Sequence, residues 1–411
     1  MTTSLLRNAT LIDGTGADAI ADAAVLVEAG KVSWAGRAAD APEAPADAVT
    51  VDLGGHTICP GFFDCHVHFS LPGPHGSPLE MAMRPASYRN FELIKRLQTT
   101  LRNGITTARD LMGIDAGVRD AVAAGLIEGP RLLVAVNMIS QSCGHADFHI
   151  PCGLDLTPLV GGCLVDSVDA ARQRTRELIR QGADVIKVAA SGGVSSPSDD
   201  PTWLGMRRDM IEAIVEVGRD YGGRKVAAHA SGYTGIRAAV EAGVHSIEHG
   251  YALDDELRHQ MVAQGTFLVP TLLETMAPVT VTAAGAAKSE KWHAMAHESI
   301  AASAAAGVKI AVGTDAGLSP DHGSTLKELG LLVKLGGLSP MQAIVAGTGN
   351  SAELCGVGDT LGTVEVGKTA DLVVVRGDPL TDIDSLGDPH NILMVVKDGH
   401  TVGNRGEFRT A

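Results

Sequence analysis

Hydrophobic and polar positions follow two different patterns along the chain, and each pattern predicts a different architecture. Near both ends, short apolar runs of β character are separated by Gly and Asp, as in hairpins. The middle alternates short apolar runs with helix-like stretches, which is typical of parallel βα units. We therefore predict a composite β domain from 1–58 and 356–411, with a second domain at 59–355 inserted between them. Chain ends often lie close together, which allows this arrangement.

The middle of the chain contains eight candidate strands, the number that closes a (β/α)8 TIM barrel. These strands are predicted at Phe62–His68, Thr106–Leu111, Arg131–Asn137, Asp184–Ala190, Lys225–Ala230, His245–Gly250, Thr266–Thr271 and Lys309–Thr314. Helix-like stretches between them include Ser87–Asn103, Ser167–Gln181, Arg208–Tyr221 and His293–Ala306. The expected fold is α/β, a (β/α)8 TIM barrel with a small β-sandwich domain formed by both chain ends. An open, doubly wound sheet is the alternative.

Composition narrows the class of protein. The chain has 411 residues, of which 45% are hydrophobic and 20% charged, so it can bury a large core. No run approaches the roughly 18 apolar residues that span a bilayer. The first residues lack the pattern of a signal peptide, and six scattered cysteines without a CxxC pair do not indicate a disulfide framework. These features predict a cytoplasmic protein without a membrane partner.

The charge of the chain excludes one class of partner. Its formal net charge is −15, from 33 basic and 48 acidic side chains. Such a surface repels phosphate backbones, so we do not expect nucleic acid to bind. We expect a small-molecule substrate instead.

Two histidines close together at the end of the first predicted strand are the first sign of chemistry. Side chains on a strand alternate between its faces, so Asp64, His66 and His68 are expected to point the same way. Two imidazoles on one rigid strand can share a metal ion. The alternative is a pair of buried core histidines.

Later strands supply further residues that can bind metal. The catalytic groups of a barrel lie at the carboxyl ends of its strands. In this chain the residues at or near such ends are Lys187 in the fourth strand, His229 in the fifth, His249 in the sixth and Asp315 after the eighth. Their convergence favours a metal site over isolated core residues.

Lys187 is the most informative of these residues because apolar neighbours on a central strand imply that it is buried. Burial lowers the pKa of an amine and leaves it neutral. A neutral amine reacts with CO₂ to give a carbamate, whose two oxygens can bridge two cations about 3.5 Å apart. The alternative is a lysine paired with a carboxylate elsewhere in the chain.

With these residues in place, the chain resembles the amidohydrolase superfamily over nearly its whole length. The segments that carry the resemblance are Ala9–Gly14, Val51–Gly55, Pro60–His68 and Gly362–Val374. Further segments are similar to the imidazolonepropionase-like and prolidase-like peptidase branch, namely Ser142–Asp147, Ile186–Val194, His229–Tyr233 and Ala242–Gly250. That branch contains dipeptidases acting on Xaa-Pro or Xaa-Arg/Lys bonds and enzymes that hydrolyse N-acyl amino acids such as ochratoxin A.

The resemblance implies a binuclear metal-dependent amidohydrolase, and it favours a homo-oligomer. By position, the first metal would be bound by His66, His68 and Asp315. The second would be bound by His229 and His249, with N6-carboxylated Lys187 bridging the two. Imidazole and carboxylate-type ligands favour Zn²⁺, and cobalt or manganese could substitute. A metal-bridging hydroxide would attack the amide while Asp315 acts as proton shuttle.

There are two weaker candidates, the first taken from the same resemblance and the second from its position after a strand. His145 lies in the loop after the third strand and would stabilise the oxyanion, or else anchor the loop. Tyr233 follows the fifth strand and would bind the substrate, or else cap the next helix. The Gly/Ser/Pro-rich segment 191–203 is expected to be a mobile loop over the pocket.

Other functions remain open from the sequence. A cyclic-amide hydrolase or a mononuclear deaminase could use the same fold, although a deaminase site does not need Lys187. A non-catalytic scaffold is a further alternative, against which stands the presence of all six metal-ligand candidates.

Overall fold

The structure is a computed structural model that describes residues 3–74, 76–150, 152–194, 199–276, 283–317, 319–406 and 408, without the side chains of 283–286. The strands in this part of the chain are β1 (Ser4–Leu11), β2 (Ile20–Glu28), β3 (Lys31–Arg37), β4 (Val49–Asp52), β5 (Thr57–Pro60), β6 (Phe62–Val67), β7 (Ile105–Asp110), β8 (Arg131–Val134), β9 (Met138–Ser140), β10 (Gly162–Leu164), β11 (Val185–Ala189), β12 (Lys225–Ala230), β13 (Ser246–His249), β14 (Phe267–Val269), β15 (Leu372–Val375), β16 (Ile392–Lys397) and β17 (His400–Asn404). The helices are α1 (Pro78–Met83), α2 (Ala86–Arg102), α3 (Ala116–Ala123), α4 (Thr157–Val160), α5 (Val168–Arg180), α6 (Arg208–Asp220), α7 (Tyr233–Glu241), α8 (Asp255–Gln264), α9 (Leu272–Thr275), α10 (Ala283–Ala305), α11 (Leu326–Lys334), α12 (Pro340–Gly347) and α13 (Gly349–Cys355).

Strands from both chain ends form one eight-stranded sheet. Its order is β17-β16-β15-β5-β1-β2-β3, and β4 pairs with β1 in parallel. One link between the two ends is the antiparallel pair of β5 and β15, in which Thr57 pairs with Val375 and Pro60 with Leu372. Apolar residues of these strands pack into a core of their own. The β-sandwich and the domain boundaries stay predictions.

The strands of the middle segment are parallel and almost completely buried. β6, β7 and β8 form a three-stranded sheet, and a six-stranded sheet has the order β10-β9-β11-β12-β13-β14. Every residue of β6, β7 and β11 is buried. Burial of this kind is expected for parallel strands that are covered on both faces. Seven of the eight predicted strands are present. The third is shorter than expected, since β8 ends at Val134, and the following strand β9 was not predicted.

The eighth predicted strand, Lys309–Thr314, forms hydrogen bonds to both sheets without becoming a regular strand. Ile310 forms a parallel bridge with Leu268 of β14. On the other side, the N–H of Cys65 in β6 donates to the carbonyl of Val312 over 2.7 Å. The two sheets also meet between β8 and β11, where the N–H of Asp184 donates to the carbonyl of Val134 over 2.8 Å.

The buried carboxylate of Asp64 joins this eighth segment to β6. It accepts hydrogen bonds from the hydroxyls of Thr314 (2.7 Å) and Thr325 (2.8 Å) and from the N–H of His66 (3.1 Å). Asp64 therefore holds the strand that carries the histidine pair. The imidazole rings of His66 and His68 lie next to a different carboxylate, that of Asp315.

Three further observations complete the fold. The four predicted helices are present, the last of them as α10, which begins ten residues earlier than expected. The described residues contain no helix that is both long and apolar enough to cross a membrane. The predicted loop at 191–203 contains residues 195–198, which lie outside the described residues.

Candidate metal centre

The predicted metal ligands lie in or just after strands or the eighth segment, toward their carboxyl ends. His66 lies in β6 with His68 directly after it, Lys187 lies in β11, and His229 lies in β12. His249 ends β13 with a φ of 74°, and Asp315 follows the eighth segment with a φ of 59°. Non-glycine residues rarely adopt positive φ, and such strain is concentrated at functional sites. The sharp turns at these two residues direct both side chains toward the cavity.

Five histidine rings form a continuous chain near these carboxyl ends. Along the order His68, His66, His249, His229 and His145, the centroids of successive rings are 5.2, 5.2, 4.6 and 4.0 Å apart. The last pair is stacked, with an interplanar angle of 10°. The structure thus brings together all four histidines predicted as ligands and the predicted oxyanion residue.

Asp315 lies beside one end of this chain of rings. Its Oδ1 is 3.0 Å from His68 Nε2 and 3.4 Å from His66 Nε2. Burial raises the pKa of this carboxyl group, but His66 and the hydrogen bond to His68 outweigh burial, and its pKa lies below the ordinary value. Ligand atoms of His66, His68 and Asp315 all lie within 4.8 Å of one another. Two imidazoles and an ionised carboxylate at this spacing fit a divalent metal ion.

Three imidazoles of the site are suited to metal binding because burial favours their neutral form. Burial lowers the pKa of His66 and His229 well below the usual value and lowers that of His249 to about 4. Neutral imidazole is the form that binds metal. In His249, Nδ1 lies 2.8 Å from the hydroxyl of Thr271, whose own proton goes to the carbonyl of Pro270. Nδ1 is therefore the donor, and Nε2, which has no hydrogen-bond partner among the described residues, keeps its lone pair.

Lys187 lies next to the first histidine. Its Nζ is 3.3 Å from His66 Nε2, and the side chain is only 1% exposed. Burial lowers the pKa of Lys187 to about 8, although Glu248 and Asp315 act in the opposite direction. A substantial fraction of this amine is therefore neutral at physiological pH, as formation of a carbamate requires.

The second predicted ligand set is arranged differently from the first. His229 Nε2 lies 3.2 Å from the carbonyl of Gly192. Among the described residues, the second group of potential ligand atoms within 4.8 Å of one another consists of His249, Glu274 and Asp315. Glu274 was not expected from the sequence. It lies in the short helix α9, directly after the seventh strand.

The two weaker candidates lie in different environments. His145 Nδ1 is 2.9 Å from Asp199 Oδ2, and its ring lines a small polar cavity together with His229, His249, Tyr251, Glu274 and Asp315. Tyr233, in contrast, begins α7, is 40% exposed and does not line this cavity. A larger groove elsewhere, between α10 and α12, is lined by none of the predicted site residues.

A buried ionic network behind the site was missed from the sequence. Glu248 Oε2 lies 3.0 Å from His66 Nδ1, and Glu248 Oε1 accepts a 2.9 Å hydrogen bond from Arg109. Arg109 also donates to the carbonyl of Cys65 over 2.6 Å, and the hydroxyl of Ser246 donates to Glu248. The sequence held one signal: Arg109 and Glu248 are opposite charges within two of the predicted strands, and buried charges must be paired.

The chain is similar to known proteins in both sequence and structure. The sequence profile of the Amidohydrolase family matches residues 57–402. The chain is 32% identical to ochratoxinase from Aspergillus niger, covering 95% of this chain and 84% of the relative.

Two solved structures are similar throughout. One is a prolidase complexed with N-methylphosphonate-L-proline (30% identity, TM-score 0.89, covering 98% of this chain and 100% of the other). The other is a Xaa-Pro dipeptidase with bound methionine (28% identity, TM-score 0.87, the same coverage).

Proposed function

Because the chain belongs to the amidohydrolase family and is a hydrolase of carbon–nitrogen amide bonds, we propose that it cleaves dipeptides or N-acyl amino acids with two metal ions. The observation that carries this proposal is the chain of five histidine rings, with Asp315 and Lys187 beside it. The proposed substrate classes are supported by the similarity of the chain to ochratoxinase in sequence and to a prolidase in structure.

The first metal would be held by His66, His68 and Asp315, whose ligand atoms already lie together. The second would be held by His229 and His249, with carboxylated Lys187 bridging both ions. We propose Zn²⁺, which prefers imidazole and carboxylate ligands. When bound, such ions supply the Lewis acidity that polarises the scissile carbonyl and acidifies water.

Asp315 would handle the proton in this reaction. Its carboxylate is ionised at neutral pH, which is the state that can accept the proton of the attacking water. It would then deliver that proton to the departing amine, which is a poor leaving group when unprotonated. His145, whose ring is held by Asp199, would stabilise the oxyanion at the other side of the cavity.

We also infer that the parallel strands form one closed (β/α)8 barrel within residues 59–355. This inference is supported by the hydrogen bond from Asp184 to Val134, which joins the two sheets directly. It is also supported by the eighth segment, which bonds to β6 through Val312 and to β14 through Ile310. Residues 1–58 and 356–411 would form the second domain, consistent with their shared sheet. A barrel explains why residues far apart in sequence converge at one edge.

The proposal is tested by a substrate screen. The purified chain with added Zn²⁺ is assayed on dipeptides and N-acyl amino acids with varied C-terminal residues. We expect hydrolysis of at least one series, and we expect Asp315→Asn to lower kcat by about 10²–10⁴-fold, the usual contribution of proton transfer. The exposed Asp359→Asn is the matched control and should keep wild-type turnover.

Two outcomes would contradict the proposal. One is the absence of hydrolysis across both substrate series while the protein holds its metal. The other is wild-type turnover in Asp315→Asn, because another group would then have to transfer the proton.

A further inference from the structure

Glu274 lies on a short helical turn that is held in place by hydrogen bonds to Glu328. Helix α9 begins immediately after Thr271, and its first two N–H groups, of Leu272 and Leu273, donate to the buried carboxyl group of Glu328 over 2.6 and 2.7 Å. The hydroxyl of Thr275 closes the turn by donating to the carbonyl of Leu272. A side chain on such a turn has a defined direction, as a binding residue requires.

The carboxylate of Glu274 lies at the cavity. Its Oε2 accepts a 3.3 Å hydrogen bond from the hydroxyl of Tyr251, and its side chain is 16% exposed. Ligand atoms of Glu274, Asp315 and His249 lie within 4.8 Å of one another. Glu274 is therefore within reach of a substrate that is bound beside Asp315.

The role of Glu274 is not to orient the ring of His249. His249 Nδ1 already donates to Thr271 over 2.8 Å, whereas Glu274 Oε2 is 3.7 Å away and beyond hydrogen-bond distance. Asp315 is the other carboxylate that lines the cavity, and the proposed function assigns it to metal binding and proton transfer. No Lys or Arg is among the described residues that line this cavity.

We propose that Glu274 binds a protonated amine of the substrate and thereby selects dipeptides over N-acyl amino acids. This inference rests on the proposed function and narrows its substrate class. Both classes share the scissile amide and the C-terminal amino acid, but only a dipeptide carries an α-ammonium group on the acyl side. A largely buried carboxylate forms a charge-assisted hydrogen bond with such a group. An acyl group without the amine leaves the carboxylate without this contact.

The test uses two substrates that differ only in the amine: an L-alanyl amino acid and the corresponding N-propionyl amino acid. The C-terminal residue is the one that wild type cleaves best. We expect wild type to favour the alanyl substrate by at least about tenfold in kcat/KM, as one charged hydrogen bond allows. In Glu274→Gln the ratio of the two kcat/KM values should fall by at least about tenfold, with unchanged metal content.

Glu290→Gln is the matched control, because Glu290 is exposed on α10 and its loss should leave the ratio unchanged. The inference is overturned if wild type does not favour the alanyl substrate, or if the ratio of the two kcat/KM values is unchanged in Glu274→Gln. It is also overturned if Glu274→Gln loses metal, which would make Glu274 a ligand. Hydrolysis of neither substrate class by metal-loaded wild type would instead contradict the proposed function itself.

Discussion

Glu248 Oε2 lies 3.0 Å from His66 Nδ1, and both side chains are buried. Neither atom has a hydrogen-bond partner among the described residues, so this close contact is the polar contact of both. A carboxylate at Nδ1 holds the proton on that nitrogen and leaves Nε2, which faces Asp315 and Lys187, as the ligand atom. Glu248 is therefore a positioning residue for the proposed metal centre.

Glu248→Gln should weaken metal binding by about 10–100-fold, the usual effect of removing such a partner. The amide keeps the size of the side chain but removes its charge, and it can offer an N–H that favours the wrong tautomer of His66. Competition for Zn²⁺ with a chromophoric chelator measures the affinity. Glu256→Gln, on the exposed face of α8, is the control. Unchanged affinity in Glu248→Gln would show that His66 is oriented without it.

Arg109 should be essential for stability because it neutralises Glu248 inside the protein. Arg109→Met leaves a buried carboxylate without its ion-pair partner, which costs about 3–5 kcal/mol in the free energy of unfolding. Replacing both residues by Met should cost less than the sum of the two single changes, because no lone charge remains. Urea denaturation of the four proteins measures this coupling. Strictly additive losses would contradict a direct Arg109–Glu248 interaction.

Lys187→Ala should abolish hydrolysis and lower the metal content, because it removes the proposed bridging ligand. Metal analysis and turnover are measured on the same preparation. Added acetate, which offers a carboxylate of similar size, should restore part of both. Near-wild-type activity in Lys187→Ala would end the carbamate proposal.

Glu328 should make stability depend on pH. Burial raises its pKa from the ordinary value of 4.5 to about 8, against the hydrogen bonds from Leu272 and Leu273. Between pH 4.5 and about pH 8, Glu328 is therefore protonated in the folded state and ionised in the unfolded chain. Its contribution to stability is therefore complete below pH 4.5 and is lost as pH rises through 8.

Glu328→Gln cannot ionise and should not show this loss. The difference in Tm between wild type and Glu328→Gln should shift in favour of the variant from pH 5 to pH 8.5, measured by calorimetry. Glu290→Gln should follow wild type at every pH. Parallel curves for wild type and Glu328→Gln would mean that Glu328 is ionised in the folded protein.

Much of the fold could be predicted from the pattern of apolar residues, because buried parallel strands appear in the sequence as short apolar runs. The eighth strand was expected as a full strand, but Lys309–Thr314 forms only single bridges and hydrogen bonds. Such pairing depends on neighbouring strands, which a local pattern does not contain.

The convergence of the histidines was predictable, since strand ends meet at one edge of the sheets. The partners of these residues were not. Alternation along a strand places Glu248 and His249 on opposite faces, so the pattern could not show that Glu248 faces His66 from another strand. Glu274 lies on a four-residue helix without any periodic signal, and its position depends on Glu328, far along the chain.

The central claim is that two metal ions act in one site, and a titration tests it directly. Metal-free protein is titrated with Zn²⁺ in the presence of bicarbonate while hydrolysis of its best substrate is followed. We predict that activity rises until about two ions are bound per chain, the expectation for a two-metal hydrolase. Full activity at one ion per chain, or activity that is independent of metal, would contradict the binuclear centre.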